Sequence, residues 1–402
     1  MKIRSITVFC QPGFPVNRLL LQQVGIFANH ARKLFKDNGF EVQSLRLATP
    51  PFEQFIAPVD LAMAAQSYAI EAHADGFEYI SLGPVSASSK AWEVIPQALA
   101  QSDRIFLSGS LTTSEGALSL HAARACAETI VRLSTLEQNG FANLRFCALA
   151  NVPANTPFFP AAYAQPGRPS FALALEAADL ALQAFTLART FQEASINLVT
   201  EIEKRAQQLE EIGNRLSQMY NYEFRGLDFT LAPFPEDAIS IGRALESLGL
   251  QAFGKPGSLL ASAFLTSTLD QAQFKRTGFN GLMLPVLEDS GLANSATDGN
   301  LSLRDLLLFS SVCGAGLDVI PLPGETTAEE LTPILLDLAA LSLRLNKALT
   351  ARLMPIPGKK AGEMTAFDFA FFANSRILPV NSAPLQGKLI GNEEIEIKAR
   401  KA

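Results

Sequence analysis

The chain has 402 residues, of which 48% are hydrophobic and 18% are charged, and its formal net charge is −6. This length predicts two domains or one large α/β domain, and the apolar composition favours wide subunit contacts, so we expect a homo-oligomer. The acidic balance, without clustered Lys or Arg, disfavours nucleic-acid binding. No apolar run reaches the length of a membrane span and no signal peptide is recognised, so we expect a cytoplasmic protein.

Strands and helices are predicted to alternate along the chain. The first strand is IRSITVFCQP, a helix follows over residues 16–38, and the next strand is FEVQSLRLAT. The alternation continues to LRFCALANV, pauses in a long helical region from Ser170 to Tyr222, and then returns with the strands LDFTLAPFP and FNGLMLPVL. This pattern favours one α/β domain over residues 1–385. The polar segment 386–402 is predicted to be a flexible tail.

Two adjacent carboxylates form the first candidate site. Glu288 and Asp289 follow a predicted strand in PVLEDSG. Close carboxylates can act as a general base or bind a cation, although acids that cap the next helix explain the same pattern. Glu288 is a candidate catalytic residue, and Asp289 is a candidate ligand-binding residue.

A cysteine between glycines forms the second candidate site, in VCGAGLDVIPLPGE. Gly314 and Gly316 leave backbone amides beside Cys313 that could lower the pKa of its thiol, although most free cysteines are buried and inert. Asp318 lies in an apolar stretch and needs a partner if it is buried. Cys313 and Asp318 are therefore candidate catalytic residues.

Basic residues and a glycine-rich turn supply the remaining candidates. Arg352, Lys359 and Lys360 in ARLMPIPGKKAGE could hold a carboxylate or phosphate group, but the segment does not match a Walker nucleotide motif. Ser108 and Gly109 in LSGSLTTSEG could form part of an anion cradle with the stretch ANVPANTPFF, although turn chemistry selects the same residues. The three histidines are not near a serine or cysteine elbow, which disfavours a Ser-His-Asp or Cys-His enzyme.

Several segments together resemble one protein family. They are LDFTLAPFPED, IGRALESLGLQAFGKPG, GFNGLMLPVLEDSGLA, VCGAGLDVIPLPG and ARLMPIPGKKAGE. Their order is similar to that in the DUF711 family, also called UPF0210, of bacterial and archaeal proteins. The resemblance implies a ten-stranded α/β barrel related to the pyruvate formate-lyase fold, with added long helices.

The same resemblance implies that Cys313 lies in a loop inside the barrel. Glycyl radical enzymes also need a glycine in an Arg-x-x-Gly-Tyr/Phe motif near the C-terminus, and this chain has SRILPVNSAPLQGKLIGNEE there. We therefore expect no radical chemistry.

Two functions remain open from the sequence. The first is an enzyme or binding protein for a small polar or anionic metabolite, and the second is a non-catalytic sensor or self-assembling scaffold. The family has no established activity, and a shared fold does not transfer chemistry. The sequence assigns no metal, cofactor or substrate.

Overall fold

A nine-stranded sheet positions the functional residues in the computed structural model, which describes residues 1–400. The strands are β1 (Lys2–Phe9), β2 (Val42–Ala48), β3 (Tyr79–Val85), β4 (Ile105–Ser110), β5 (Ala117–Ser119), β6 (Phe146–Ala150), β7 (Ser170–Glu176), β8 (Glu223–Ala232), β9 (Gly316–Pro323), β10 (Leu349–Ile356) and β11 (Glu394–Glu396). The helices are α1 (Arg18–Asp37), α2 (Leu61–Ala74), α3 (Ile95–Leu99), α4 (Leu120–Ser134), α5 (Ala178–Leu187), α6 (Phe191–Tyr220), α7 (Ile241–Glu246), α8 (Ser258–Gln271), α9 (Ser290–Thr297), α10 (Leu303–Phe309) and α11 (Ala328–Leu345).

The sheet is mostly parallel, and its strand order is β8-β7-β1-β2-β3-β4-β6-β10-β9. Strands β1, β2, β3, β4 and β6 form a parallel central block. One antiparallel pairing on each side joins this block to a further parallel pair, β7–β8 next to β1 and β10–β9 next to β6. The predicted α/β class is therefore confirmed.

The sheet is strongly curved. Four strands separate β1 from β10 in the sheet order, so the two would lie about 24 Å apart in a flat sheet with strands about 4.8 Å apart. Arg4 of β1 and Arg352 of β10 nevertheless bind the same carboxylate, that of Glu288. The sheet therefore wraps around a central space that side chains from distant strands share.

The sheet does not close into a barrel. Strands β8 and β9 are its two edges, and the hydrogen-bonded ladder contains nine strands, so the predicted ten-stranded closed barrel is corrected. The segment FNGLMLPVL, predicted as a strand, forms no strand and contributes only a bridge between Pro285 and Asp318.

Helix ends follow local capping chemistry. Thr327 and Glu330 form a capping box that starts α11, because the Thr327 hydroxyl accepts from the Glu330 amide and the Glu330 carboxylate accepts from the Thr327 amide. Asn346 ends the helix in the left-handed conformation at φ 51°. The chain then turns at Asn346 to enter β10.

The C-terminal segment predicted as a flexible tail contacts the rest of the chain. Strand β11 pairs antiparallel with β5, and Arg124 of α4 donates to the Gly391 carbonyl oxygen at 2.7 Å. The boundary at residue 386 stays a prediction. Among residues 1–400, no helix combines the length and the apolar character that a membrane crossing requires.

Candidate functional site

The curved sheet partly surrounds a central cavity of about 180 Å³ that opens to solvent. Its polar lining includes three arginines, Arg4, Arg46 and Arg352, and the carboxylates of Asp228 and Glu288. Much of the remaining wall is aromatic: Tyr79, Phe106, Phe158, Phe159, Phe369 and Phe371. A concave, largely apolar space with a few converging polar groups is the usual form of a small-molecule site.

Three of the predicted site residues meet in one ion-pair network, and two of them, Glu288 and Arg352, line this cavity. Arg352 donates from Nη2 to Glu288 Oε1 at 3.0 Å and from Nε to Asp318 Oδ1 at 2.6 Å. The other Glu288 oxygen, Oε2, accepts from Arg4. Glu288 and Arg352 are about 5% exposed and Asp318 is fully buried, so each charge depends on its partners for the solvation that water would otherwise give.

The pKa values of the two carboxylates in the network are shifted in opposite directions. Burial acts to raise the pKa of Glu288, but the guanidinium groups of Arg4 and Arg352 outweigh it and lower that pKa. Burial raises the pKa of Asp318, and the single guanidinium of Arg352 only partly opposes it. Asp318 Oδ2 has no hydrogen-bond partner within residues 1–400. The arginines therefore favour the ionised form of Glu288 more strongly than that of Asp318, and Arg352 pairs with both carboxylates.

Arg46 differs from the other two arginines because it forms no ion pair within the described part of the chain. Its Nε donates to Ser44 Oγ at 2.9 Å. Its guanidinium lies 5.2 Å from the ring centre of Phe159 and 5.7 Å from that of Tyr79. Burial, together with repulsion from Arg4, lowers the pKa of Arg46 to about 10, so it is still charged at neutral pH. An anion in the cavity would supply the counter-charge that Arg46 lacks.

Asp228 of β8 is an acidic cavity residue that the sequence did not single out. Burial raises the pKa of its carboxyl to about 6, although several hydrogen bonds act in the opposite direction. Oδ2 accepts from the Phe279 amide at 3.1 Å, and Oδ1 accepts from the Asn280 amide at 3.0 Å and from the Thr230 hydroxyl. A carboxyl with this pKa can accept or release a proton near neutral pH.

Cys313 lies apart from the central cavity. It is 1% exposed, and its Sγ accepts from the Gly316 amide at 3.3 Å. It lines a separate cavity of about 400 Å³ with Lys347, whose Nζ donates to the Ser310 and Ser311 carbonyl oxygens at 3.1 and 3.3 Å. The thiol is thus not brought together with Glu288, Asp318 or Arg352.

Asp289 caps helices and does not line the central cavity. Its Oδ1 accepts from the Leu292 amide at 2.8 Å, which caps α9, and from the Ser240 hydroxyl at 2.7 Å. Its Oδ2 accepts from the Ile241 amide, the first of α7. This one carboxylate therefore joins two helix N-termini.

Lys359 and Lys360 follow β10 in a turn outside the central cavity. Lys360 is exposed and Lys359 is half-buried. Their main-chain groups hold the turn, since the Lys359 carbonyl oxygen accepts from the Gly324 amide at 2.9 Å and the Lys360 amide donates to Glu363 at 2.6 Å. Neither ammonium group reaches the cavity where Arg352 lies.

Ser108 and Gly109 belong to β4, and their neighbours line another space. Ser108 is buried, and its hydroxyl has no partner within residues 1–400. A Cβ atom on Gly109 would lie 2.2 Å from the ring of Trp92, so close packing requires glycine there. The residues after Gly109 do meet the stretch that begins at Ala150, since Thr112 and Asn151 both line a surface cavity of about 550 Å³.

The sequence did carry one signal for the missed arginines. Arg4 and Arg46 interrupt the strands KIRSITVF and VQSLRLA, where strand residues are otherwise mostly apolar or small. A charge in the middle of such a strand needs a partner or a ligand. Within residues 1–400, no three His, Cys, Asp or Glu side chains converge in a way that could hold a metal ion.

The fold and cavity define the class of protein: an α/β protein whose curved, mostly parallel sheet surrounds a small cavity lined by arginines and aromatic rings. Comparison with known families gives the more particular assignment. Residues 1–374 match the family model described as "Uncharacterised ACR (DUF711)", so the chain belongs to the DUF711 family.

Several curated relatives are named UPF0210 protein. The relative from Oleidesulfovibrio alaskensis is 28% identical over 85% of this chain and 80% of its own length. The one from Desulfovibrio desulfuricans is 29% identical over 85% of this chain and 80% of its own. The one from Syntrophobacter fumaroxidans is 32% identical over 68% of this chain and 63% of its own. The resemblance stated from the sequence motifs is thereby confirmed at the level of the family.

Proposed function

We propose that the protein binds a small anionic metabolite in the central cavity, with Arg46 as the residue that binds the anion. The observation that carries this proposal is the guanidinium of Arg46, which faces the cavity without an ion-pair partner within residues 1–400. The other two arginines are neutralised internally by Glu288 and Asp318. Binding an anion removes the cost of a partly buried, uncompensated charge.

The ion-pair network has a different part in this proposal. Both oxygens of Glu288 are already bound by arginine side chains, so Glu288 cannot also bind Arg46 tightly. The ion pairs among Glu288, Arg352 and Asp318 thus leave Arg46 available for the ligand. The sequence hypothesis gave Glu288 and Asp318 proton-transfer roles; the proposal gives them a positioning role.

A thermal-shift and calorimetric screen tests the proposal. The probes are acetate, benzoate, succinate and inorganic phosphate, with acetamide and benzamide as neutral counterparts. At least one anion should raise the melting temperature of the wild-type protein, whereas its neutral counterpart should not. A ligand at about 100 times its Kd adds about 2.7 kcal/mol of stability.

The matched variants are Arg46→Gln and Arg304→Gln. Arg304 is exposed on α10 and does not line the cavity, so its variant should bind the anion as the wild type does. Arg46→Gln should lose the anion-dependent shift. Equal shifts in both variants would disprove the role of Arg46.

Proton transfer is the second candidate function, and Asp228 favours it. This carboxyl lines the cavity and has a pKa near 6, which suits a general base for a bound ligand. Incubation with acetate or succinate in D₂O tests it, because both have C–H bonds next to a carboxylate and a base that abstracts such a proton exchanges it for deuterium. Exchange should occur with the wild-type protein and stop in Asp228→Asn.

The alternative of a non-catalytic sensor or self-assembling scaffold predicts closed internal ion pairs and no open cavity. The ion pairs of Arg352 agree with the expectation of closed ion pairs, and the central cavity disagrees with the expectation of no open cavity. Ligand binding without turnover, coupled to a change in subunit number, would favour the sensor.

The relation to the pyruvate formate-lyase barrel remains part of the proposal. A sheet that curves around a central cavity supports it, and the open edges at β8 and β9 count against it. We also propose that the chain performs no glycyl radical chemistry. Anaerobic incubation with a radical activase checks this, because a glycyl radical doublet in the EPR spectrum would contradict it.

A further inference from the structure

The charge pattern of the cavity limits the charge of its ligand. Arg4 and Arg352 share Glu288, and Arg352 also binds Asp318, so these two cations are matched by two acids. Arg46 is left as one cation without an ion pair within residues 1–400. The lining also contains two further acids: Glu78, which pairs with Arg32, and the buried Asp228, which would repel a second negative charge. One negative charge on the ligand is therefore favoured over two.

The position of Arg46 shows what surrounds that charge. Its Nε is held by Ser44, and the flat guanidinium lies over the rings of Phe159 and Tyr79. Its two terminal nitrogens make no hydrogen bond within the described residues, so they can donate side by side to the two oxygens of a carboxylate. A carboxylate bound there would have aromatic rings directly beside it.

Three of the aromatic rings, those of Tyr79, Phe106 and Phe159, make a continuous wall. The ring of Phe106 lies between those of Tyr79 and Phe159, with centroid distances of 5.3 Å to each and edge-to-face angles of 74° and 61°. Phe158 lines the same cavity and contacts Phe279 edge to face at 5.3 Å. Such a wall presents both ring faces and ring edges, which favours an aromatic guest over a flexible alkyl chain.

The size of the cavity agrees with one ring. An apolar cavity of about 150 Å³ is large enough to bind benzene. The central cavity is about 180 Å³. It therefore has room for a single six-membered ring and one small polar substituent.

We propose that the natural ligand is an aromatic monocarboxylate that carries a single ring, with its carboxylate on Arg46 and its ring against Phe106, Phe158 and Phe159. This inference rests on the proposed function, because it names the class of anion that the same site accepts. It differs from that proposal in requiring both the ring and the single charge.

Four probes that differ in one property each test the inference by calorimetry at pH 7.5. Benzoate has a ring and one charge, benzamide has the ring without the charge, acetate has the charge without the ring, and phthalate has the ring with two charges. We expect benzoate to bind at least tenfold more tightly than each of the other three.

The outcomes separate the two proposals. Acetate or phosphate binding as tightly as benzoate would overturn the aromatic ligand and leave anion binding intact. Phthalate binding as tightly as benzoate would overturn the single charge. Benzamide equal to benzoate, or no binding by any anion, would overturn both the inference and the proposed function.

Replacing the wall phenylalanines by leucine gives an independent test. Leucine keeps most of the side-chain volume but removes the aromatic ring. Phe159→Leu and Phe106→Leu should each weaken benzoate binding about tenfold and leave acetate binding unchanged. Phe264→Leu is a matched control. Phe264 is a half-buried residue of α8 whose ring packs against rings of α5 and α6, and it does not line the cavity. Circular dichroism confirms that each variant is folded, and unchanged benzoate binding in both folded wall variants would overturn the inference.

Discussion

The Nη2 atom of Arg352 lies 3.0 Å from Oε1 of Glu288, although 64 residues separate the two in the chain. Both side chains are about 5% exposed. This contact joins β10 to the segment before α9, and Arg4 extends it to β1. The pair thus fixes the curvature of the sheet from inside the cavity.

Replacing Glu288 by glutamine should destabilise the fold. The amide keeps the shape of the side chain but leaves Arg4 and Arg352 without their shared negative charge. Because breaking a buried ion pair costs about 3–5 kcal/mol, we expect a loss of about 3 kcal/mol in urea unfolding. Glu325→Gln, at an exposed position, should change stability by less than about 0.5 kcal/mol. Equal stability of the two variants would show that the network contributes little.

Anion affinity should rise as the pH falls through about 6. The pKa of Asp228 is raised to about 6, so its carboxylate is mostly charged at pH 7.5 and repels a bound anion, and it is mostly neutral at pH 5.2. A carboxylate ligand, with a pKa near 4, stays ionised over that range. We expect binding about threefold to tenfold tighter at pH 5.2 than at pH 7.5, measured by calorimetry. Asp228→Asn should flatten this dependence.

Cys313 should react slowly with iodoacetamide in the native protein. Its side chain is buried, as are those of Cys10, Cys126 and Cys147. Peptide mapping after a short treatment should therefore find Cys313 labelled no faster than the other three, and all four labelled in urea. Selective labelling of Cys313 in the folded chain would instead point to an accessible, activated thiol.

Alanine at position 109 should weaken β4. The new Cβ would lie 2.2 Å from the Trp92 ring, which is itself buried and cannot move without disturbing its neighbours. Overpacking of this kind costs about 1–3 kcal/mol. Gly391→Ala is the control, because the nearest atom to its Cβ would be 3.3 Å away. Thermal unfolding of both variants measures the difference.

Replacing Asp289 should reduce stability without changing anion binding. Its carboxylate caps α9 and also accepts from the first amide of α7, so Asp289→Ala removes both contacts. Loss of a helix cap costs about 0.5–2 kcal/mol, and we expect the upper end of this range. A folded Asp289→Ala protein that no longer binds the anion would restore Asp289 as a ligand-binding residue.

The elements that could be predicted are those whose pattern is local. Strands β1 and β2 follow from runs of β-forming residues, and α1 follows from its apolar periodicity. Strand β7 was predicted as helix, because SFALALE is rich in Ala, Leu and Glu, which have high helix propensity. Its antiparallel pairing with β1 overrides that preference.

The candidate site was predictable only in part, for a physical reason. Glu288, Asp318 and Arg352 stand out as charges in apolar segments, and they do meet. The choice of Arg46 over Lys359 could not be made from the sequence, because it depends on which strands the curved sheet brings face to face. Curvature is a property of the whole sheet and leaves no local signal in any one strand.

The contact between Arg4 and Glu288 has a consequence for synthesis of the chain on the ribosome. Arg4 is made first, and the acid that neutralises it follows 284 residues later. The ion-pair network is therefore complete only after the segment before α9 and strand β10 have both been made, and a chain shortened before β10 lacks Arg352.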